Sequence, residues 1–93
     1  MRTIHKFTIE RLGELTLQMP VGAEPLVVQM QRERACVWAI VDDQAAVEEV
    51  RFFVAGTGHT LPDELGTPQY IGTFQHDSFV WHLFRWPTGG EHA

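Results

Sequence analysis

Short runs in which apolar and polar residues alternate recur along the whole chain, separated by turn-forming residues. A period of two is that of an extended strand, whose side chains leave opposite faces in turn, and a helix does not satisfy it. Thr3 to Ile9 sets His5, Phe7 and Ile9 against Ile4, Lys6 and Thr8. Glu14 to Met19 sets Leu15, Leu17 and Met19 against Glu14, Thr16 and Gln18, and Leu12-Gly13 between the two runs reads as the turn of a hairpin. Leu26 to Gln31 places Leu26, Val28 and Met30 on a core face. Gln31-Arg32-Glu33-Arg34 is then a tight polar connection into Cys36 to Val41, a second hairpin. Cys36 to Val41 is apolar on both faces, the pattern of a central strand. Val50 to Ala55, Tyr70 to Phe74 and Phe79 to Trp86 complete the set. The last is apolar on both faces except at His82, so it is either central or covered on its outer side by another subunit.

The segments between these runs are of three kinds. Pro20 to Pro25 holds two prolines and a glycine and bars a regular element. Asp42 to Glu49 is open: Asp42 or Asp43 can cap a short helix of alanines and glutamates, and a turn accounts for the segment equally well. Gly56 to Pro68 is the longest irregular stretch, and loops of that length in small domains often carry function. Pro87 to Ala93 reads as a tail. The expected fold is all-β and mainly antiparallel, about seven short strands in a small sandwich or partly open barrel, with at most one short helix near 42–49. The expected layout is a single β domain over 1–87 and a flexible tail over 88–93.

Composition limits what such a domain does. With 93 residues there is room for one core, and 44% hydrophobic content excludes intrinsic disorder. The net charge is −5, and the seven Lys and Arg form no basic stripe, so direct nucleic-acid binding is not expected. The single cysteine, Cys36, forms no intramolecular disulfide. In its apolar run Cys36 is read as a buried inert thiol, and Trp38 beside it as structural. No apolar leader or membrane span stands in the sequence, so the expected setting is intracellular, with no membrane contact. A chain this small, with a two-faced apolar last strand, is expected to form a homo-oligomer, most simply a dimer. Trp81, Phe84 and Trp86 are the expected interface, and Trp86 the most exposed of them.

Several constellations bear on chemistry. Gly56-Thr57-Gly58-His59 follows a strand but lacks the spacing of either the phosphate loop or the dinucleotide fingerprint. It reads either as a bulged strand end or as a loop whose free N–H groups, with Thr57 and His59, hold an anionic ligand. Arg32 and Arg34 are the cations to join it. His5, His59, His76, His82 and His92 lack zinc-motif spacing, so no metal and no cofactor are expected. His82 reads as a core or interface imidazole with one hydrogen bond. His76-Asp77-Ser78 contains the residue types of a triad, but sequence neighbours do not reach the relay geometry, and no catalytic residue is assigned.

Met1 to Phe7, Gly56 to His59, Tyr70 to Gln75 and Val80 to Phe84 together resemble a family of uncharacterised small proteins encoded by bacteriophages and prophages. The likeness spans nearly the whole chain, with Asp42 to Glu49 the looser part. It implies a phage-related protein acting in the cytoplasm of the bacterial host, and it brings no catalytic residues. The expected function is therefore non-enzymatic: a counter-defence binding protein that sequesters a small nucleotide signal or blocks a host defence protein. A minor virion or assembly component, or a small nucleotide-processing enzyme, are the alternatives.

Overall fold

The computed structural model describes residues 1–87, and the expected tail over 88–93 lies outside them. Seven strands follow in order: β1 (Arg2–Ile9), β2 (Gly13–Pro20), β3 (Glu24–Gln31), β4 (Arg34–Asp42), β5 (Val47–Gly56), β6 (Gln69–His76) and β7 (Phe79–Arg85). A short 3-10 turn, Asp63–Leu65, interrupts the long connection from β5 to β6. The strands form two antiparallel sheets, β1-β4-β3 and β2-β5-β7-β6, which face each other as a sandwich and do not close into a barrel.

The period of two decides which residues meet between the sheets. Phe7 and Ile9 of β1, Val28 of β3 and Val37, Ala39 and Val41 of β4 pack against Leu15 and Met19 of β2, Phe52 and Val54 of β5, Phe74 of β6 and Leu83 of β7. Phe52, Val37, Ala39, Met19 and Leu83 have no solvent exposure at all. The two strands apolar on both faces, β4 and β7, are the inner members of their sheets, so each is flanked on both sides by hydrogen-bonded neighbours.

Two expectations about pairing are corrected. β1 and β2 do not form a hairpin: β1 pairs with β4, and β2 pairs with β5 in the opposite sheet. Their apolar sets face each other across the core instead of lying side by side. On β3, Leu26 does not face the core. A bulge between Pro25 and Val27 inserts one residue, leaving Pro25 and Val28 buried while Leu26 stands 47% exposed. The open question over 42–49 resolves to a turn. Asp42 accepts the Gln44 N–H on its carboxylate and the Ala45 N–H on its carbonyl, and β5 begins at Val47. Asp42 thus closes a turn instead of capping a helix.

The hairpin of β3 and β4 is as expected, with Arg32 at φ 59° in its turn. In the β6–β7 hairpin, Asp77 and Ser78 take φ 54° and 74° between the paired His76 and Phe79, the two positive values that match the right-handed twist of the strands.

Candidate functional site

The antiparallel registers gather one set of turns at one end of the sandwich. There Ile9 pairs with Ala35, Met30 with Ala35, Phe74 with Trp81 and His76 with Phe79. Between the sheets at this end opens a cleft of about 630 Å³, floored by Ile9, Met30, Phe74 and Trp81. Its rim carries Arg11 and Arg34, the carboxylates of Glu10 and Glu33, and His76. The volume lies within the range of small-ligand pockets, and an apolar floor with a few convergent polar groups is their usual build. His76 stands 3.5 Å from the Asp77 carboxylate at the rim.

The Gly56–His59 loop adjoins this cleft without lining it. Gly56 is buried and pairs with Trp81. The His59 ring folds back over Gly56: a Cβ there would come within 2.8 Å of Cε1 and 2.9 Å of Nδ1. The same imidazole meets Trp81 edge to face, with ring centres 5.8 Å apart. His59 thus props the indole that floors the cleft. Two loop N–H groups are already used, Thr57 N–H to the Val80 carbonyl at 3.2 Å and His59 N–H to the Gly56 carbonyl at 3.0 Å. Gly58, at φ 85°, makes the reversal between them.

The structure therefore brings Arg34 and Trp81 together and sets His59 against Trp81 from outside. Arg32 lies elsewhere, beside Lys6 and Arg34 around a depression of about 540 Å³ at the same end of the three-stranded sheet. Of the three aromatic residues expected at an interface, Trp81 lies on the inner face. Phe84 is half-buried on the outer face of the four-stranded sheet, against Tyr70 at 5.2 Å. Trp86, expected to be the most exposed, is buried. The Arg51 guanidinium covers its ring at 3.9 Å and Phe53 meets it edge-on at 6.2 Å. Cys36 is buried, as its apolar run implies, under the hydrogen bond by which Lys6 reaches across β4 to Gln31.

One arrangement was not visible in the sequence. On the outer face of the four-stranded sheet, His82 Nδ1 lies 3.0 Å from the Tyr70 hydroxyl and Nε2 lies 2.7 Å from the Thr57 hydroxyl. Thr57 in turn reaches the Val80 carbonyl at 3.4 Å. One proton pattern satisfies every partner: Tyr70 donates to Nδ1, Nε2–H donates to Thr57, and Thr57 donates to Val80. His82 thus makes two hydrogen bonds instead of the one expected. Tyr70, His82 and Thr57 come from β6, β7 and the loop after β5, so only the pairing register could have shown that they meet.

Among the described residues no three His, Cys, Asp or Glu side chains converge as a metal site, and no helix is long and apolar enough to cross a membrane. Fold and site together define a small antiparallel β-sandwich with one open, aromatic-floored end. The family described as a domain of unknown function (DUF7352) matches residues 1–92, and the chain belongs to it. Neither a curated protein nor a solved structure matches it.

Proposed function

We propose that this is a non-enzymatic binding protein whose end cleft takes a small nucleotide, its base against Trp81 and Phe74 and its phosphate between Arg11 and Arg34. The observation that carries the reading is the cleft itself: an apolar, aromatic floor of about 630 Å³ with two guanidinium groups on its rim. A planar base fits an aromatic floor through its π-face, and a guanidinium offers a phosphate paired donors in one plane. Glu10 and Glu33 on the same rim offset part of the positive charge, which favours a ligand with few phosphates and with N–H donors to offer. The finer setting belongs to the same proposal. In it the protein is phage-encoded, acts in the cytoplasm of the bacterial host, and sequesters a nucleotide signal of the host's defence. The sequence resemblance supports that setting.

Calorimetry with a panel of linear and cyclic mono- and dinucleotides tests the reading. At least one is expected to bind in the micromolar range, and Arg34→Gln or Arg11→Gln to weaken it by roughly tenfold or more while the melting temperature stays put. Arg2→Gln, at the opposite end of β1, should change nothing. If no member of the panel binds at millimolar concentration, or binding ignores both rim arginines, the reading is wrong.

A further inference from the structure

A second hollow adjoins the cleft around the turn between β3 and β4. On the three-stranded sheet Ala35 and Val37 face the core, so Arg34 and Cys36 of β4 face out, as do Lys6 and Thr8 of β1 and Gln31 of β3. Buried Cys36 floors the resulting depression of about 540 Å³, and Lys6, Arg32 and Arg34 stand around it. Register alone would hold Lys6 away, because it is level with Trp38, about 13 Å along the sheet from Arg34. The Lys6 ammonium nevertheless donates to Gln31, the residue paired with Arg34, so the two side chains lean together over Cys36. Four of the seven Lys and Arg thus border two adjoining hollows in a chain of net charge −5, with Arg34 and Glu33 common to both. Among the described residues none of Lys6, Arg11, Arg32 and Arg34 forms an ion pair, although Glu33 stands between two of them in the sequence. Arg2 and Arg51, by contrast, find Glu24 and Glu14. Arg32 also holds φ 59° at the first position of a two-residue turn, a conformation that Gly, Asn or Asp ordinarily fills. Neither ion pairing nor turn geometry explains an arginine there, and a bound anion does.

We propose that the depression holds a second phosphate of the ligand in the cleft, which makes the ligand a dinucleotide. The inference rests on the cleft's taking a nucleotide. With a base and one phosphate in the cleft, Arg34 stands at the passage from that site to Lys6 and Arg32 on the other side of the turn. The cleft opens between the sheets and the depression on the outer face of one of them. Reaching both calls for phosphates held apart by a nucleoside instead of joined directly. Lys6, Arg11, Arg32 and Arg34 against Glu10 and Glu33 leave two cations unbalanced, one for each phosphate. The guanidinium groups offer paired donors in a plane, the Lys6 ammonium a compact charge and Thr8 a hydroxyl. The second contact forms in a complex already held by the first, so it multiplies affinity at little further entropic cost.

Calorimetry tests this by comparing 5′-AMP and 5′-GMP with the 5′-phosphorylated and the cyclic dinucleotides of the same bases. At least one dinucleotide is expected to bind roughly tenfold or more tighter than its mononucleotide. Lys6→Gln and Arg32→Gln should each remove most of that advantage and leave the mononucleotide unaffected, since neither residue borders the cleft. Arg32→Gly should lose the same affinity with a melting temperature no lower than that of the unaltered protein, because glycine takes the φ of that turn without strain. Arg11→Gln reports on the cleft alone and should weaken mononucleotide and dinucleotide alike. Dinucleotides that bind no tighter than mononucleotides, or an advantage that survives both Lys6→Gln and Arg32→Gln, would overturn the second site while the cleft reading stands. Binding of neither class would overturn both.

Discussion

Replacing Gly72 by alanine separates two demands that β6 meets at a single residue. Gly72 follows a bulge in which Ile71 is the extra residue between the paired Tyr70 and Gly72, and its φ is 157°. It faces inward, where β3 and β6 lie against each other across the sandwich. A Cβ at this position would sit 3.3 Å from Val28 Cγ1 and 3.9 Å from the Val28 nitrogen. Val28 is 1% exposed and β-branched, so it has no cheap rotation out of the way. Overfilling a packed core costs about 1–3 kcal/mol. Forcing an L-residue into a backbone region kept for glycine costs about 1–3 kcal/mol more. The smaller entropy of the unfolded alanine chain returns about 0.4–1 kcal/mol. The net expectation for Gly72→Ala is a loss of roughly 2–5 kcal/mol, a large share of the roughly 5–14 kcal/mol that a domain of this length possesses.

Urea unfolding followed by tryptophan fluorescence measures that loss, and a second background divides it. In Val28→Ala the blocking methyl groups are gone, so adding Gly72→Ala should cost about 1–2 kcal/mol less than it does in the unaltered protein. The backbone part should survive. A neutral Gly72→Ala would refute both demands. An equal cost in the two backgrounds would refute the close approach and leave only the conformational one.

His59→Ala should lower stability by about 0.5–1.5 kcal/mol through loss of its edge contact with Trp81, and Gly56→Ala should be better tolerated in that background than in the unaltered protein, since the imidazole is the nearer of the two rings the new Cβ meets and only Trp81 Cζ3, at 3.1 Å, then remains; thermal melts of the four proteins read the coupling. Arg51→Ala should cost about 1 kcal/mol by uncovering Trp86 and releasing Glu14, and Arg51→Lys should recover only part of it, as denaturant midpoints will show. The Gln44 N–H, and after it the chain's amino group, hold the Asp42 carboxyl below the ordinary carboxylate range. The stability this provides is therefore complete above the ordinary carboxylate pKa and is lost as pH falls through the lowered one, so the gap between the unaltered protein and Asp42→Ala should be open at pH ~7 and closed by pH ~2.

What the sequence disclosed and what it withheld divide along a physical line. Alternation tells which residues share a face, so Leu15, Leu17 and Met19, and the two-faced β4 and β7, were legible from spacing alone. It carries no information about which strand lies beside which. The β1–β2 hairpin was the local solution to a pattern that the chain satisfies by sending β2 into the opposite sheet. Leu26 failed for a related reason: one inserted residue at a bulge reverses every face assignment on its far side, and Pro25, which a strand admits at an edge or a bulge, marks an irregularity there without fixing its register. At the site, Arg34 and the Gly56–His59 loop were singled out by residue type. The residues that connect them, Trp81 above all, gain their position from pairings between segments far apart in the chain. The Tyr70–His82–Thr57 chain of hydrogen bonds was hidden for the same reason.

The two ends of the sandwich are unequal, and the inequality bears on where binding belongs. At one end Met19, Ala23, Val41 and Val50 are buried, and Arg85 donates to the Ala23 carbonyl across the gap between the sheets. The chain's amino group, between the carboxylates of Asp42 and Asp43, ties β1 to the turn after β4 at that same end. At the other end Met30 and Trp81 stay half-open and Phe79 is 61% exposed, although each is large enough to help close the core. A sandwich stabilises itself by joining its sheets, and this one does so at the end away from the cleft. Apolar side chains left apart at the open end forgo burial worth about 25 cal/mol per Å² in the free protein. A ligand seated among them restores that burial only in the folded state, so its binding and the stability of the open end rise together.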